Sequence, residues 1–261
     1  MEVQKHPHHV THKKKFGEYL LEFFMLFLAV FLGFVAENIR EHNVEHERVK
    51  DYARSLATDI KRDTANMTFI IGHIKKQIRN TDSLTAYLKS RTAAEVRNVD
   101  LFTFTVLYSY PSYRWSRSTM DQIKNSGSLR YFNDSIVRYI SSYDALSHHM
   151  DQDYRSDEDL ATQANTLRNQ IVDISYPNKL VENLNTNFDS LINSDGYKKF
   201  RANDTIPLIT RDKTTMKIFL NEQLNIRRNL DVRANEELKS LIAQGRRLIG
   251  ILQNNYHFEK E

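Results

Sequence analysis

Histidines and carboxylates are the residues of this chain whose spacing invites chemistry. His42-x-x-x-His46 sets two imidazoles on one face of a helix, a spacing that can chelate a divalent metal, and Glu41 and Glu45 lie beside them. A site needs at least a third ligand, which here must come from a packed helix or a neighbouring copy, so the pair reads as part of a solvated stalk and no metal is assigned. His6, His8, His9 and His12 crowd the N-terminal tail together with lysines, a composition suited to anionic headgroups or weak metal contact on an otherwise unstructured tail. His148 and His149 read as exposed helix. There is no Gly-rich phosphate loop, no His-Glu-x-x-His, no Gly-x-Ser-x-Gly and no cysteine nucleophile. Carboxylates abound, but no two are singled out as an acid–base pair. The chain is therefore expected to be non-catalytic, with no catalytic residue and no cofactor assigned.

The element that fixes the class is one apolar run, from Tyr19 to Ala36. A bilayer core of about 30 Å needs roughly 20 mostly apolar residues in helix, and the run reaches that length when Phe16 and Gly17 are counted. A cleavable signal peptide would need a shorter core and a small-x-small cleavage site. Ala36 is preceded two positions earlier by Phe34, which is too large, so the run is read as an uncleaved transmembrane helix over residues 16–39. Glu22, Leu26, Ala29, Gly33 and Ala36 recur on one stripe of that helix, and Leu20, Phe23, Phe27, Phe31 and Phe34 on another. Ala29-x-x-x-Gly33 allows a second helix to approach closely. A carboxylate at Glu22 on the same stripe is costly in lipid unless paired, protonated or near the headgroups. Two readings follow: a helix-packing face, or a Glu22 that snorkels to the interface beside small residues that are merely common in such helices.

Three lysines, Lys13, Lys14 and Lys15, abut the start of the run, while Glu37 and Glu41 flank its end ahead of Arg40, Arg48, Lys50 and Arg54. Positive residues mark the cytoplasmic side, so proximity places the basic, His-rich tail, residues 1–15, inside. The body, residues 40–261, is then periplasmic and the protein a single-pass inner-membrane one. The absence of cysteine excludes a disulfide framework and is compatible with either side.

The body is expected to be all-α, a long-helix, coiled-coil-like bundle. Seven Gly and four Pro in 261 residues leave room for few turns. The formal charge of +4 is spread over a surface in which Asp and Glu interleave with Lys and Arg, so there is no nucleic-acid footprint. A stripe runs out of the span through Val35, Ile39, Val49, Tyr52, Leu56, Ile60, Met67, Ile70, Ile74, Ile78, Leu84 and Leu88. A final long helix from Thr210 or Asp212 to about 256 carries Met216, Leu220, Leu224, Leu230, Leu238, Leu241, Leu248, Leu252 and Tyr256, and the two long helices are matched to pack as a pair. Between them, Ser118 reads as an N-cap with Asp121 at N3, Gly127 as a left-handed C′ residue and Asn133 as the next cap. Phe102, Phe104, Tyr108, Tyr110, Tyr113 and Trp115 form an aromatic stretch. It reads as a short helix running to Pro111, whose rings either plug the end of the bundle or line a ligand pocket.

Three segments together carry a likeness. They are Phe16-Gly-Glu-Tyr-Leu-Leu-Glu-Phe at the start of the span, Phe34-Val-Ala-Glu-Asn-Ile-Arg-Glu41 at its exit, and Ser118-Thr-Met-Asp-Gln-Ile-Lys-Asn-Ser-Gly-Ser-Leu-Arg-Tyr-Phe132. In these the chain resembles a family of uncharacterised single-span, helical-bundle membrane proteins from Bacteroidota. Thr119, Ile123, Ser126, Gly127 and Leu129 match its Thr…Leu…Ser-Gly…Leu element, with Ile in place of Leu. The resemblance implies the architecture and no reaction. The lineage also implies O-glycosylation at Asp-Ser/Thr-apolar triplets, of which those at Asp189-Ser190 and Asp204-Thr205 are the best placed; the alternative is that such pairs are helix-start chemistry.

These features lead to one expectation and one alternative. The first is a membrane-anchored scaffold or accessory subunit of an envelope complex, associating through its span and first long helix, with itself or with another membrane protein. The second is a sensor or ligand-binding module that acts through a partner, since a tail of about fifteen residues holds no signalling domain.

Overall fold

A computed structural model describes residues 15–105 and 112–258, apart from the side chains of Asn185 and Thr186. The chain is 84% helical, with no strand among the described residues. Helix α1 runs Phe16–Lys89, α2 Asn98–Thr105, α3 Ser118–Asn125 and α4 Asp134–Ile171. They are followed by α5 Asn178–Asn193, α6 Asp195–Asn203, α7 Lys213–Val232 and α8 Leu238–Tyr256. A 3-10 turn covers Ser128–Tyr131 and a π-helical turn Arg233–Glu237. The all-α class expected from composition is the class observed. The chain divides into two compact units between Asp51 and Tyr52, a point inside α1.

The first unit, described from Lys15, is a length of α1. An 18-residue window in it has a mean hydropathy of 2.3, and none of that window is buried. Phe23, Phe27 and Phe31 stack along one face, with ring centroids 6.3 and 6.1 Å apart, as residues four apart on a helix do. Ile39, placed at the start of the long stripe by its spacing, is exposed.

In the second unit the expected α1 stripe forms the core. Leu56, Ile60, Met67, Ile70, Ile74, Ile78 and Leu84 are all buried, each burial worth roughly 1.5–3 kcal/mol. Helix α4 packs along both α7 and α8. Residue pairs show the directions: Ser142 faces Gln244, Asp157 faces Arg233 and Asp82 faces Arg227, so α7 and α8 run antiparallel to both α4 and α1. Gly245 marks a close approach. A Cβ there would stand 3.0 Å from Ile60 Cγ2 and 3.2 Å from the Tyr143 ring, so the missing side chain lets α8 settle between α1 and α4. A second core cluster gathers the end of α1, α2, α5, α6 and the start of α7 around Leu84, Leu101, Leu184 and Phe219.

Helix ends depart from the sequence reading in places. Gly127 is left-handed (φ 68°), as a C′ residue requires. Ser118 is the first residue of α3 rather than its cap; Arg117 takes the cap position in a helical conformation while its guanidinium pairs with Asp151. Asn133 does cap α4 by backbone position, but its side chain makes no cap bond. Asp212, not Thr210, caps α7, accepting the Thr215 N–H at 2.7 Å.

The last long helix is not uniform. Its buried positions advance 230, 234, 238, 242, four residues per turn rather than the ordinary 3.6. The wider π turn over Arg233–Glu237 absorbs the surplus, so that α7 and α8 keep their apolar faces on the same core. Leu224 belongs to the expected stripe but is exposed, and the fully buried neighbour is Gln223, a polar residue that apolar periodicity passes over.

Candidate functional site

The residues named for the membrane face lie on the exposed length of α1. Glu22, Leu26, Ala29, Gly33 and Ala36 are all exposed, and the space beside Gly33 is open. His42 and His46 stack edge-on with centroids 5.5 Å apart, and no third metal-ligating residue groups with them among the described residues.

The aromatic stretch divides. Tyr108 and Tyr110 lie outside the described residues. Phe102 is buried against Tyr176, at 4.4 Å between centroids, and Phe104 packs on Tyr87 at 5.7 Å; both serve the second core. Polar contacts fix this end of α2. Tyr87 donates to Asp100 at 2.6 Å, Arg201 also pairs with Asp100, and Asn98 donates to the Asp173 carbonyl at 2.8 Å. Burial, with the Asp100 carboxylate, pushes the Tyr87 hydroxyl up to about 12. Tyr113 and Trp115 sit elsewhere, against Tyr154 of α4, beside a cleft of about 450 Å³ that is shared with Arg117 and Asp151. The Trp115 indole and the Arg117 guanidinium both bond to Asp151, so these three side chains are taken up by one another.

The segment from Ser116 to Leu129 has a mechanical role. Thr119 donates to the buried Asp59 at 2.6 Å, and the Ser116 N–H donates to the buried Asp63 at 2.9 Å, which ties the start of α3 to α1. Ile123 is fully buried, and Ser126 bonds to Ser128 around the left-handed Gly127. Burial raises the Asp63 carboxyl above its usual range, against the opposing pull of the Ser116 N–H. A carboxyl raised on folding adds stability at acid pH, and that addition is lost as pH rises through the folded-state value, leaving a desolvated anion at neutrality. Asp63→Asn keeps an acceptor for Ser116 and removes that anion. Thermal unfolding at pH 7 is expected to show the variant at least as stable as the parent, and its advantage to shrink as the pH is lowered toward 4.

The most concentrated chemistry lies where sequence spacing drew no attention. Arg233, in the π turn, is buried together with Asp157. Its guanidinium reaches Asp153 at 2.6 Å, Asp157 at 3.2 Å and also Glu237. Burial works against the charge; hydrogen bonding to Asp157 and the fields of Glu237 and Asp153 overcome it and hold the guanidinium above its ordinary pKa. His149 adds its Nε2 at 3.3 Å from Asp153. His149, Asp153 and Glu237 stand close enough to share a metal ion, but the guanidinium pairs with both carboxylates, hydrogen-bonding to Glu237, and so occupies their meeting point. The arrangement does the work of an internal cation, locking the wide turn of the last helix onto α4. Asp153-x-x-x-Asp157 and Arg233-x-x-x-Glu237 each lie at helical spacing, which is the trace this cluster leaves in the sequence.

No family model, curated protein or solved structure matches this chain. The geometry therefore carries the functional reading on its own.

Proposed function

We propose that this protein is a membrane-anchored, non-catalytic helical scaffold or accessory subunit, held by residues 16–39 as a single inner-membrane span, with its body in the periplasm. The observation that supports it is the first length of α1, which is apolar over a bilayer's width and wholly unburied. Such a surface needs lipid or another helix to cover it. The lysines before the span favour a cytoplasmic tail. In the body, several buried charged groups are engaged by structural partners: Arg233 by its carboxylates, Asp100 by Tyr87 and Arg201, Asp59 by Thr119 and Asp63 by the Ser116 N–H. That economy suits a rigid support better than a reacting centre.

The span's small-residue face, with Ala29 and Gly33, is where association is expected to begin. The chain has no native cysteine. Ala29→Cys and Gly33→Cys proteins in native membranes should give disulfide or bifunctional adducts with a second copy or with one membrane partner, while Phe27→Cys on the opposite face should not. Monomer alone at all three positions removes the scaffold reading.

A further inference from the structure

A second candidate surface lies in the body, at the end of α1 remote from Tyr52. There Leu88, Ala93, Val96, Met216 and Leu220 wall an apolar groove of about 630 Å³ between the loop that follows α1 and the first two turns of α7. Its floor is firm. Val96 and Met216 are buried members of the second core, and Leu88 and Ala93 pack on it. The loop is fixed as well, because one nitrogen of Arg211 donates to the carbonyls of Ala93 (2.6 Å), Ala94 (3.2 Å) and Val96 (2.9 Å).

The charged residues that line the groove are all basic. Arg91, Lys213 and Lys217 line the groove, and all three are exposed. The two carboxylates nearest in sequence are already engaged. Glu95 accepts both the N–H and the hydroxyl of Thr92, at 2.8 and 2.9 Å, and Asp212 accepts both from Thr215, at 2.7 and 2.8 Å. Both are held below the ordinary carboxylate range by those bonds, so they stay ionised caps. Arg91 lies over the Tyr87 ring, 5.0 Å from its centroid. The groove therefore offers an apolar floor, three cations and few free hydrogen-bond acceptors, since the loop carbonyls are taken by Arg211.

We propose that this groove docks an acidic, apolar segment of a partner protein, leucine-like side chains seated on the half-buried Leu88, Ala93 and Leu220 and carboxylates facing Arg91, Lys213 and Lys217. Complementary charge sets the partner's sign and its rate of arrival, and the apolar floor supplies affinity. The inference is independent of whether α1 crosses a bilayer, since every residue in it belongs to the second unit.

The test uses the full chain in zwitterionic nanodiscs and a fluorescein-labelled peptide of alternating leucine and glutamate. Its controls are the leucine–glutamine and serine–glutamate peptides. Saturable binding is expected for the first, weaker by at least about tenfold for each control and by a similar factor for the Lys213→Glu/Lys217→Glu protein. Both lysines are exposed and near the start of α7, where glutamate is well tolerated, so the variant's unfolding temperature should be unchanged. Absence of saturable binding overturns the proposal, as does equal binding of the serine–glutamate peptide or indifference to the double charge reversal. Displacement of the peptide's role by dodecanoate, with no peptide bound, assigns the groove to an acyl carboxylate instead. Self-association of the particles abolished by the same lysine variant assigns it to a second copy.

Discussion

Arg233→Met should be the most damaging single substitution in the body. It removes a cation that meets Asp153, Asp157 and Glu237 together, and takes from Asp157, only 4% exposed, its guanidinium partner. Breaking a buried pair from one side costs about 3–5 kcal/mol. For a domain of this size that corresponds to a fall of roughly 6–20 °C in Tm. The sign of the pH dependence follows. A carboxylate that loses its cation inside the protein is easier to protonate, so part of the loss should be recovered as pH falls from 7 toward 5. Arg233→Met/Asp157→Asn should recover about 1–3 kcal/mol of the loss, the coupling expected for residues in direct contact. Thermal unfolding of the three proteins at two pH values checks this. A loss below about 1 kcal/mol would mean that the π turn is held by its apolar neighbours and that the ion cluster is incidental.

Phe27→Arg/Phe31→Arg should release the protein from the membrane. Both rings lie near the middle of the exposed apolar length of α1, and they stack on each other with centroids 6.1 Å apart. An arginine near the centre of a spanning helix costs about 2.5–3.5 kcal/mol, so two cost about 5–7 kcal/mol, against an insertion energy supplied by a single span. Alkaline carbonate extraction should find the parent in the pellet and the variant in the supernatant or degraded. Gly72→Arg, on the open side of the same helix in the body, should leave the pellet unchanged, because nothing stands within 4 Å of that Cα's missing side chain. If the double arginine variant sediments like the parent, the apolar length is covered by protein rather than lipid.

What the sequence disclosed and what it hid have physical causes. The helical class, the extent of α1 and its buried stripe were legible because Leu56, Ile60, Met67, Ile70, Ile74 and Ile78 repeat at helical spacing without a proline to interrupt them. Gly127 was legible because few residues but glycine take a left-handed turn readily. The break between α7 and α8 was not, because a π turn adds a residue without adding a breaker: Arg233 through Glu237 are ordinary helix formers. Gln223 was missed because burial of an amide leaves no apolar mark. The Arg233 cluster was missed for a related reason. Its members are two helical pairs 80 residues apart in the chain, and only the antiparallel packing of α4 on the last helix brings them together. The aromatic stretch misled by proximity in sequence. Phe102 and Phe104 sit in a helix that faces the second core, whereas Tyr113 and Trp115 lie beyond Pro111 and turn toward α4. The groove at Lys213 and Lys217 could not be read at all, since its two walls are the loop after α1 and the start of α7.

The measurement that bears most directly on the central claim is single-cysteine labelling in intact cells, made simple by a chain without native cysteine. Ser90→Cys lies on an exposed position of the body, and His9→Cys lies in the basic tail. A membrane-impermeant maleimide is predicted to label Ser90→Cys once the outer membrane is permeabilised, and to reach His9→Cys only after the inner membrane is broken. Labelling of His9→Cys alone in intact cells, or recovery of either protein in the soluble fraction, would contradict a single-span anchor with its body in the periplasm.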